Sequence, residues 1–225
     1  MTDKHMQLLR LMHLVSPSLP TGAYAYSQGL EWAIADGWIQ DGPSLRVWLA
    51  DLLQHTVAYV DIPLLSRMHA ACRYRNDTAL AIWCNQLLAL RETHELRLEE
   101  KTRGRAMLKL LEGLHVQLSI TMQTIIADSQ LAGYAMAAAH WNIELCDAAT
   151  GYVWSWLENQ VLTGIKTIPL GQTEGHQMLH SLGPDVIDAV AHGLRLHDDS
   201  IGASSPALAI ASSCHETQYT RLYRS

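Results

Sequence analysis

The sequence has no phenylalanine, few charges and only four cysteines, and each shortage narrows what the chain can be. Cys72, Cys84, Cys146 and Cys214 lie far apart and form no CxxC pair, so a zinc ribbon or a thioredoxin-like redox centre has no support and free thiols are expected. Charged residues make up 17% of the chain, against roughly 25% in average soluble domains, while 48% are apolar. That balance excludes intrinsic disorder and points to surface hidden against a partner. The formal net charge of −6 argues against a nucleic-acid binder or an anionic-membrane binder, since both need a basic footprint. Long apolar runs are missing too. The most apolar stretches, residues 134–139 and 151–157, fall well short of the ~18 residues a membrane span needs, and Asp147 and Glu158 interrupt any extension. Residues 1–16 carry Lys4, His5, Arg10 and His13 among their leucines, without an apolar signal core or a small-residue cleavage site. A soluble, cytoplasmic protein is the expectation.

Catalytic signatures are also absent. There is no GxxxxGK[ST] loop to cradle phosphates, no GxGxxG turn for a dinucleotide and no GxSxG elbow. His94-Glu95 and His215-Glu216 each lack the second histidine that would place two imidazoles on one helical face for zinc-protease chemistry. An enzyme reading has no anchor.

What the sequence does contain is helical periodicity. Leu8, Leu11, Met12 and Val15 recur at i, i+3, i+4, i+7, and Pro17 stops that first helix. Residues 16–22 hold two prolines and a glycine and form a turn, with Thr21 or Ser27 as caps for a helix through Leu30 and Ile34. Ser44 reads as the N-cap of a long helix to about Val60, and Asp61-Ile62-Pro63 restarts the chain. Further helices are expected over 63–74, 78–90, 93–114, 129–140, 145–165, 174–194 and 206–219. Val116, Leu118 and Ile120 alternate like a strand but have no partner, so they read as helix or connector. The expected fold is all-α: a single-domain bundle of about eight to ten helices. It would occupy residues 1–205, with a flexible N-terminus and a C-terminal partner-binding tail, residues 206–225, that joins the same domain when bound. Asp198, Asp199, Gly202, Ser204 and Ser205 mark a flexible loop ahead of that tail.

Four features could carry more than structure. Residues 91–105 contain nine charges in fifteen positions, with Glu99 and Arg103 at the favourable i,i+4 spacing, and read as a solvated helix face. His176 and His180 sit one helical turn apart, but no third ligand is identifiable. Cys214-His215 offers a soft donor beside an imidazole, yet adjacent residues do not easily face one ion. No stable metal site is expected, and His176, His180 and Cys214 are the only candidate donors. Of the seven tryptophans, Trp154 and Trp156 stand two positions apart on a helix, so one of them is free to line an interface. Small residues from Ala132 to Ala139 permit close helix approach, within the bundle or across a dimer.

The two ends are the most distinctive parts. Residues 16–31 read SPSLPTGAYAYSQGLE, and residues 214–225 read CHETQYTRLYRS. Together they resemble the UreF family of urease accessory proteins, whose opening pattern is similar to SPxLPxGxFxYSxGLE and whose ending is similar to HETQYSRLFRS. The first pattern is met by Ser16, Pro17, Leu19, Pro20, Gly22, Tyr26, Ser27, Gly29, Leu30 and Glu31, with Tyr24 in the aromatic place. The second is met by His215, Glu216, Gln218, Tyr219, Arg221, Leu222, Arg224 and Ser225, with Thr220 and Tyr223 as mild changes. The stretch from Arg91 to Gly104, followed by Leu108, resembles the family's charged helix, whereas Ala209 replaces an acidic residue and Cys214 a frequently basic one.

The resemblance implies a non-catalytic homodimer that bridges UreD (also called UreH) to the GTPase UreG during nickel insertion into apo-urease. It extends to modulation of the UreG GTPase. This chain would bind no cofactor: GTP belongs to UreG, and nickel is handled by the complex. The tail, Pro206 to Ser225, would order when UreD docks, with its residues from His215 to Ser225 facing UreD and Tyr219, Arg221, Tyr223 and Arg224 as anchors. The Ser16 to Glu31 segment would form a dimer or partner surface. Two alternatives are a nickel-carrying metallochaperone with His and Cys ligands, and a helical enzyme without a recognisable motif.

Overall fold

In the computed structural model, which describes residues 2–203 and 205–225, the chain is all helix and connector; Met1 and the loop residue Ser204 lie outside the described residues. Helix α1 covers Thr2–Leu14 and a single 3-10 turn covers Ala23–Ala25. Then follow α2 (Leu30–Ala35), α3 (Gly42–Leu52), a π-helical segment (Leu53–Asp61) and α4 (Ile62–Arg73). The body continues through α5 (Asp77–Leu90), α6 (His94–Gly113), α7 (Ile120–Asp128), α8 (Gln130–His140) and α9 (Leu145–Thr167). It closes with α10 (Gln172–Ser181), α11 (Gly183–Gly193), a 3-10 turn at Asp198–Ser200 and α12 (Pro206–His215).

The central rod runs without a break from α3 through α4. Its N-cap is Asp41 rather than Ser44: Asp41 Oδ1 accepts from the Ser44 N–H at 2.9 Å, and Ser44 Oγ accepts from the Asp41 N–H at 3.1 Å, a reciprocal capping box. These bonds also hold the Asp41 carboxyl below its ordinary range. Nor does Pro63 restart the chain. A proline withholds one N–H, and the helix absorbs the loss by winding residues 53–61 as a π-helix, in which Ile62 N–H reaches back to Val57 O. The Tyr59 carbonyl finds its donor outside the helix, in Gly202 N–H at 3.0 Å. The π segment delivers Asp61 to the interior, where its side chain is buried.

Helix α4 packs along α8, and α6 and α7 close the other side of α8. The small residues Ala132, Gly133, Ala135, Ala137 and Ala138 are therefore used within the bundle, all buried and the four alanines at 0% exposure. A Cβ on Gly133 would stand 2.6 Å from Met107 Cγ, so glycine sets how near α6 comes. Helix α9 crosses to α10 and α11, which pack against α3 and the π segment. The body is filled by fully buried Leu49, Leu53, Leu64, Leu65 and Met68, each side chain contributing about 1.5–3 kcal/mol by leaving water.

Several boundaries differ from the periodicity. The stretch 174–194 is two helices, because Leu182 to Pro184 turns the chain between α10 and α11. Helix α7 emerges from the connector that begins near Val116, started by Ser119, whose hydroxyl accepts from Met122 N–H at 3.1 Å. Helix α12 stops at His215 instead of reaching residue 219. On α1 the stripe is rotated: Leu14 is buried and Leu11 packs on Gly151 of α9, while Leu8 and Met12 face solvent.

Candidate functional site

The two distinctive segments at the ends of the sequence are folded onto each other. After α1, the turn at Ser16 to Thr21 is tied by Leu19 N–H to Ser16 O at 2.9 Å, and Gly22 enters the 3-10 turn with φ of 73°. Tyr24 then points to solvent and Tyr26 into the interior. Gly29 adopts φ of 81°, and a Cβ there would lie 2.6 Å from the backbone nitrogen of Ser212. Only glycine meets both demands, so Gly29 is where α2 and α12 touch.

Beyond α12 the chain runs back across residues 25–31 and is held along its length. Glu31 accepts from Leu222 N–H at 2.7 Å and Tyr223 N–H at 3.0 Å, and faces His215 Nε2 at 3.2 Å. Glu95, in the first turn of α6, faces His215 Nδ1 at 2.7 Å and accepts from Arg221 Nη1 at 2.7 Å. Arg224 N–H donates to Ala25 O at 2.8 Å. The Ser225 carbonyl oxygen accepts from the N–H groups of Ser27 at 2.6 Å and Gln28 at 3.0 Å, and from the Ser27 hydroxyl. Glu216 sits at the positive end of α6, accepting from His94 N–H at 2.9 Å, where the helix dipole favours an anion. Charge-assisted bonds of this kind are stronger than neutral ones, and here they replace an apolar core under the tail.

The tail residues divide into two sets. His215, Tyr223 and Ser225 are buried fasteners, and Arg221, itself exposed, clips the tail to Glu95 from the surface. Tyr219, Leu222 and Arg224 face outward, Tyr219 fully and Leu222 at 75% exposure. Gln218 is half-buried and donates to Thr220 O at 3.0 Å.

Residues 91–105 do not form the solvated face that their charge suggests, because the three glutamates they place on α6 point inward. Glu95, Glu99 and Glu100 are all buried. Glu99 accepts from Arg103 Nη1 at 2.7 Å and Gln28 Nε2 at 3.1 Å, and Trp156 Nε1 donates to Gln28 Oε1 at 2.9 Å. Trp156 thus points inward while Trp154 stays on the surface. Glu100 turns to the opposite side, accepting from Ser129 Oγ at 3.0 Å, Leu131 N–H at 2.9 Å and Arg91 Nη2 at 3.2 Å. Arg91 also pairs with Asp61 Oδ1 at 2.6 Å, to which the Tyr152 hydroxyl donates at 3.1 Å. Burial opposes the Arg91 charge, but Asp61 and Glu100 outweigh it and hold the guanidinium protonated; burial next to Asp61 pushes the Tyr152 hydroxyl well up. The i,i+4 spacing correctly paired Glu99 with Arg103. It could not show the long-range partners that draw the other carboxylates inward. Gly104 lets this helix press on the α7–α8 junction, since a Cβ would stand 2.6 Å from Ile126 O.

Between the N-terminal segment, α6 and α9 lies a cavity of about 100 Å³ reached by Asp61, Arg91, Glu99, Arg103 and Tyr152. Thr56 Oγ1 and Arg103 Nε are buried there without a protein partner, as in polar cavities that hold water. Among the described residues no three His, Cys, Asp or Glu side chains converge as a metal site. His176 and His180 lie exposed on α10 beside Trp154 and Pro184, and Cys214 is half-buried. Burial pushes the Cys72 and Cys84 thiols up to about 12, which makes them inert packing groups. No helix is long and apolar enough to cross a membrane among the described residues.

A family model described as UreF matches residues 39–183. The chain is 46% identical over 222 residues to the urease accessory protein UreF of Alcanivorax borkumensis, covering 96% of this chain and 97% of that protein. It is 45% identical over 223 residues to the protein of that name in Pseudomonas putida, covering 99% and 100%, and 42% identical over 226 residues to that of Teredinibacter turnerae, covering 97% and 99%.

Proposed function

The chain belongs to the UreF family, and on that premise we propose that it is a urease accessory protein: a non-catalytic, cytoplasmic, homodimeric scaffold that bridges UreD (UreH) and the GTPase UreG on apo-urease during nickel insertion. GTP belongs to UreG, and nickel is cargo of the assembled complex. Any influence on GTP hydrolysis is exerted through contact, since the chain has no phosphate loop of its own.

The observation that supports this reading best is the union of the two end segments. Residues 16–31 and 215–225 form one surface with its polar fasteners inside, and it presents Tyr24, Tyr219, Leu222 and Arg224 to solvent. Tyrosine and arginine are over-represented among residues that dominate binding energy, and a backbone already fixed lowers the ordering cost of docking. UreD is the partner assigned to this surface. The alternative, nickel carriage by this chain, lacks a converging donor set among the described residues.

The test is co-expression with UreD and UreG, with assembled masses read by native mass spectrometry. Wild type is expected to retain both partners and to appear as a dimer. Tyr219→Asp combined with Leu222→Asp removes outward groups only, and is expected to abolish UreD retention while helical circular dichroism stays unchanged. Full retention by the double variant moves the UreD contact elsewhere; failure of wild type to hold UreD ends the scaffold reading.

A further inference from the structure

The imidazoles of α10 are a feature of the sequence that the scaffold reading leaves unused. Of the twelve histidines, only His176 and His180 stand three or four positions apart, the spacing that sets two side chains on one helical face. Helix α10 holds them there. Its inner side is fixed by buried Met178 and Leu179 and by Gly175, where a Cβ would collide with Ile165, so both histidines remain exposed. They border an open depression of about 570 Å³ shared with Trp154 of α9 and with Gly183 and Pro184 at the start of α11.

Imidazole nitrogen suits nickel, copper and zinc, and two rings one helical turn apart can reach one ion. Two donors are too few to hold such an ion by themselves, since a closed site takes about four. Among the described residues no third His, Cys, Asp or Glu converges on the pair. Glu158, one turn beyond Trp154 on α9, stands near enough to matter from outside: burial pushes its carboxyl up, and the charge of the His176 ring opposes that rise. A carboxylate next to an imidazole is the usual outer support of a metal-ligating histidine.

We propose that His176 and His180 form a two-point site for a divalent late transition ion that already carries other ligands. The ion arrives held by the molecule that presents it, and the two rings fill two adjacent positions that water occupied. The exchange balances without redox chemistry: two ion–water bonds break, two ion–nitrogen bonds form, the waters leave to solvent and the ion keeps its charge. The surface depression is open to such a bulky complex, whereas the interior cavity of about 100 Å³ is not. The site goes beyond the scaffold reading, because α10 would touch a metal in transit without storing it. It is a property of this chain alone and stands or falls separately from the partner assignment.

The probe is Ni(II)–nitrilotriacetate, a chelate that leaves two adjacent positions of the ion to water, titrated calorimetrically into the untagged full chain at about pH 8, where protons compete little for imidazole. The expected result is one chelate bound per chain. Because the second nitrogen binds intramolecularly, His176→Gln and His180→Gln should each weaken binding by about tenfold or more, with the double variant little weaker than either. Both side chains are exposed, so helical circular dichroism should stay unchanged in all three variants. His5→Gln, which alters an exposed histidine on α1, is the reference and should bind as wild type does. Equal affinity in wild type and the double variant overturns the site. So do single variants that halve the number of chelates bound while the remainder keep their affinity, which is how two independent histidines behave. No partner is present in the titration, so either failure leaves the co-expression result to decide the scaffold reading.

Discussion

Two buried charge clusters share the helix α6, and they do different work. Glu100 joins Asp61, Arg91 and Tyr152 in the body, between helices that share the apolar core and beside the polar cavity. Glu95 joins Glu31, His215 and Arg221 at the edge, where the segment being held is ten residues of non-helical chain with outward-facing Leu222 and Tyr219. The same chemistry therefore has different reach. In the body, an ion pair sits between helices already committed by core packing, so a broken pair is felt by the whole cooperative unit. At the edge, polar bonds are most of what holds the tail, so a broken pair opens it locally.

The largest expected effect breaks the body cluster. In Arg91→Met, Asp61 and Glu100 lose their common cation while remaining enclosed, and removing one member of a buried pair costs about 3–5 kcal/mol. Urea denaturation should show a lowered midpoint, with tail and body signals moving together. A midpoint within error of wild type would mean that water in the adjoining cavity compensates both carboxylates and that Arg91 does not hold the body together.

The next effect belongs to the edge. Gly29→Ala places a Cβ 2.6 Å from Ser212 N at a φ of 81°, a strained conformation whose cost is about 1–3 kcal/mol. Because α12 is the neighbour that must move, amides of residues 217–225 should lose protection while the α4 and α8 amides keep theirs. Equal loss in both would show that tail and body unfold as one unit, and the contrast between the clusters would fail.

How much of this was legible in the sequence follows from the range of the contacts. The all-α class, the small-residue stripe of α8 and the pairing of Glu99 with Arg103 depend on positions three to four apart, which periodicity reports directly. The two end segments stood out by resemblance. Their union did not, because Glu31 and His215 are 184 positions apart and nothing local marks them as partners. The charged run at 91–105 was misread for the same reason. A carboxylate on a helix looks solvated until the tail, Ser129 and Arg91 are brought to it. Pro63 misled in the other direction: a local rule ended the helix, and a distant donor, Gly202, together with the π winding, carried it through.

The smallest change sharpens the comparison within the body cluster itself. Tyr152→Phe deletes the hydroxyl that donates to Asp61 at 3.1 Å but leaves the 2.6 Å bond from Arg91 and the edge-on contact with Tyr134, whose ring centroid is 5.4 Å away. Asp61 stays paired, and the vacated position borders the polar cavity, where water can replace the lost donor. The expected loss is that of one hydrogen bond, about 0.5–1.5 kcal/mol, read as a small shift of the urea midpoint at constant slope. Tail exchange should be unchanged, since the edge cluster does not include Tyr152. A shift as large as that of Arg91→Met would place the hydroxyl, and not the guanidinium, at the centre of the body cluster.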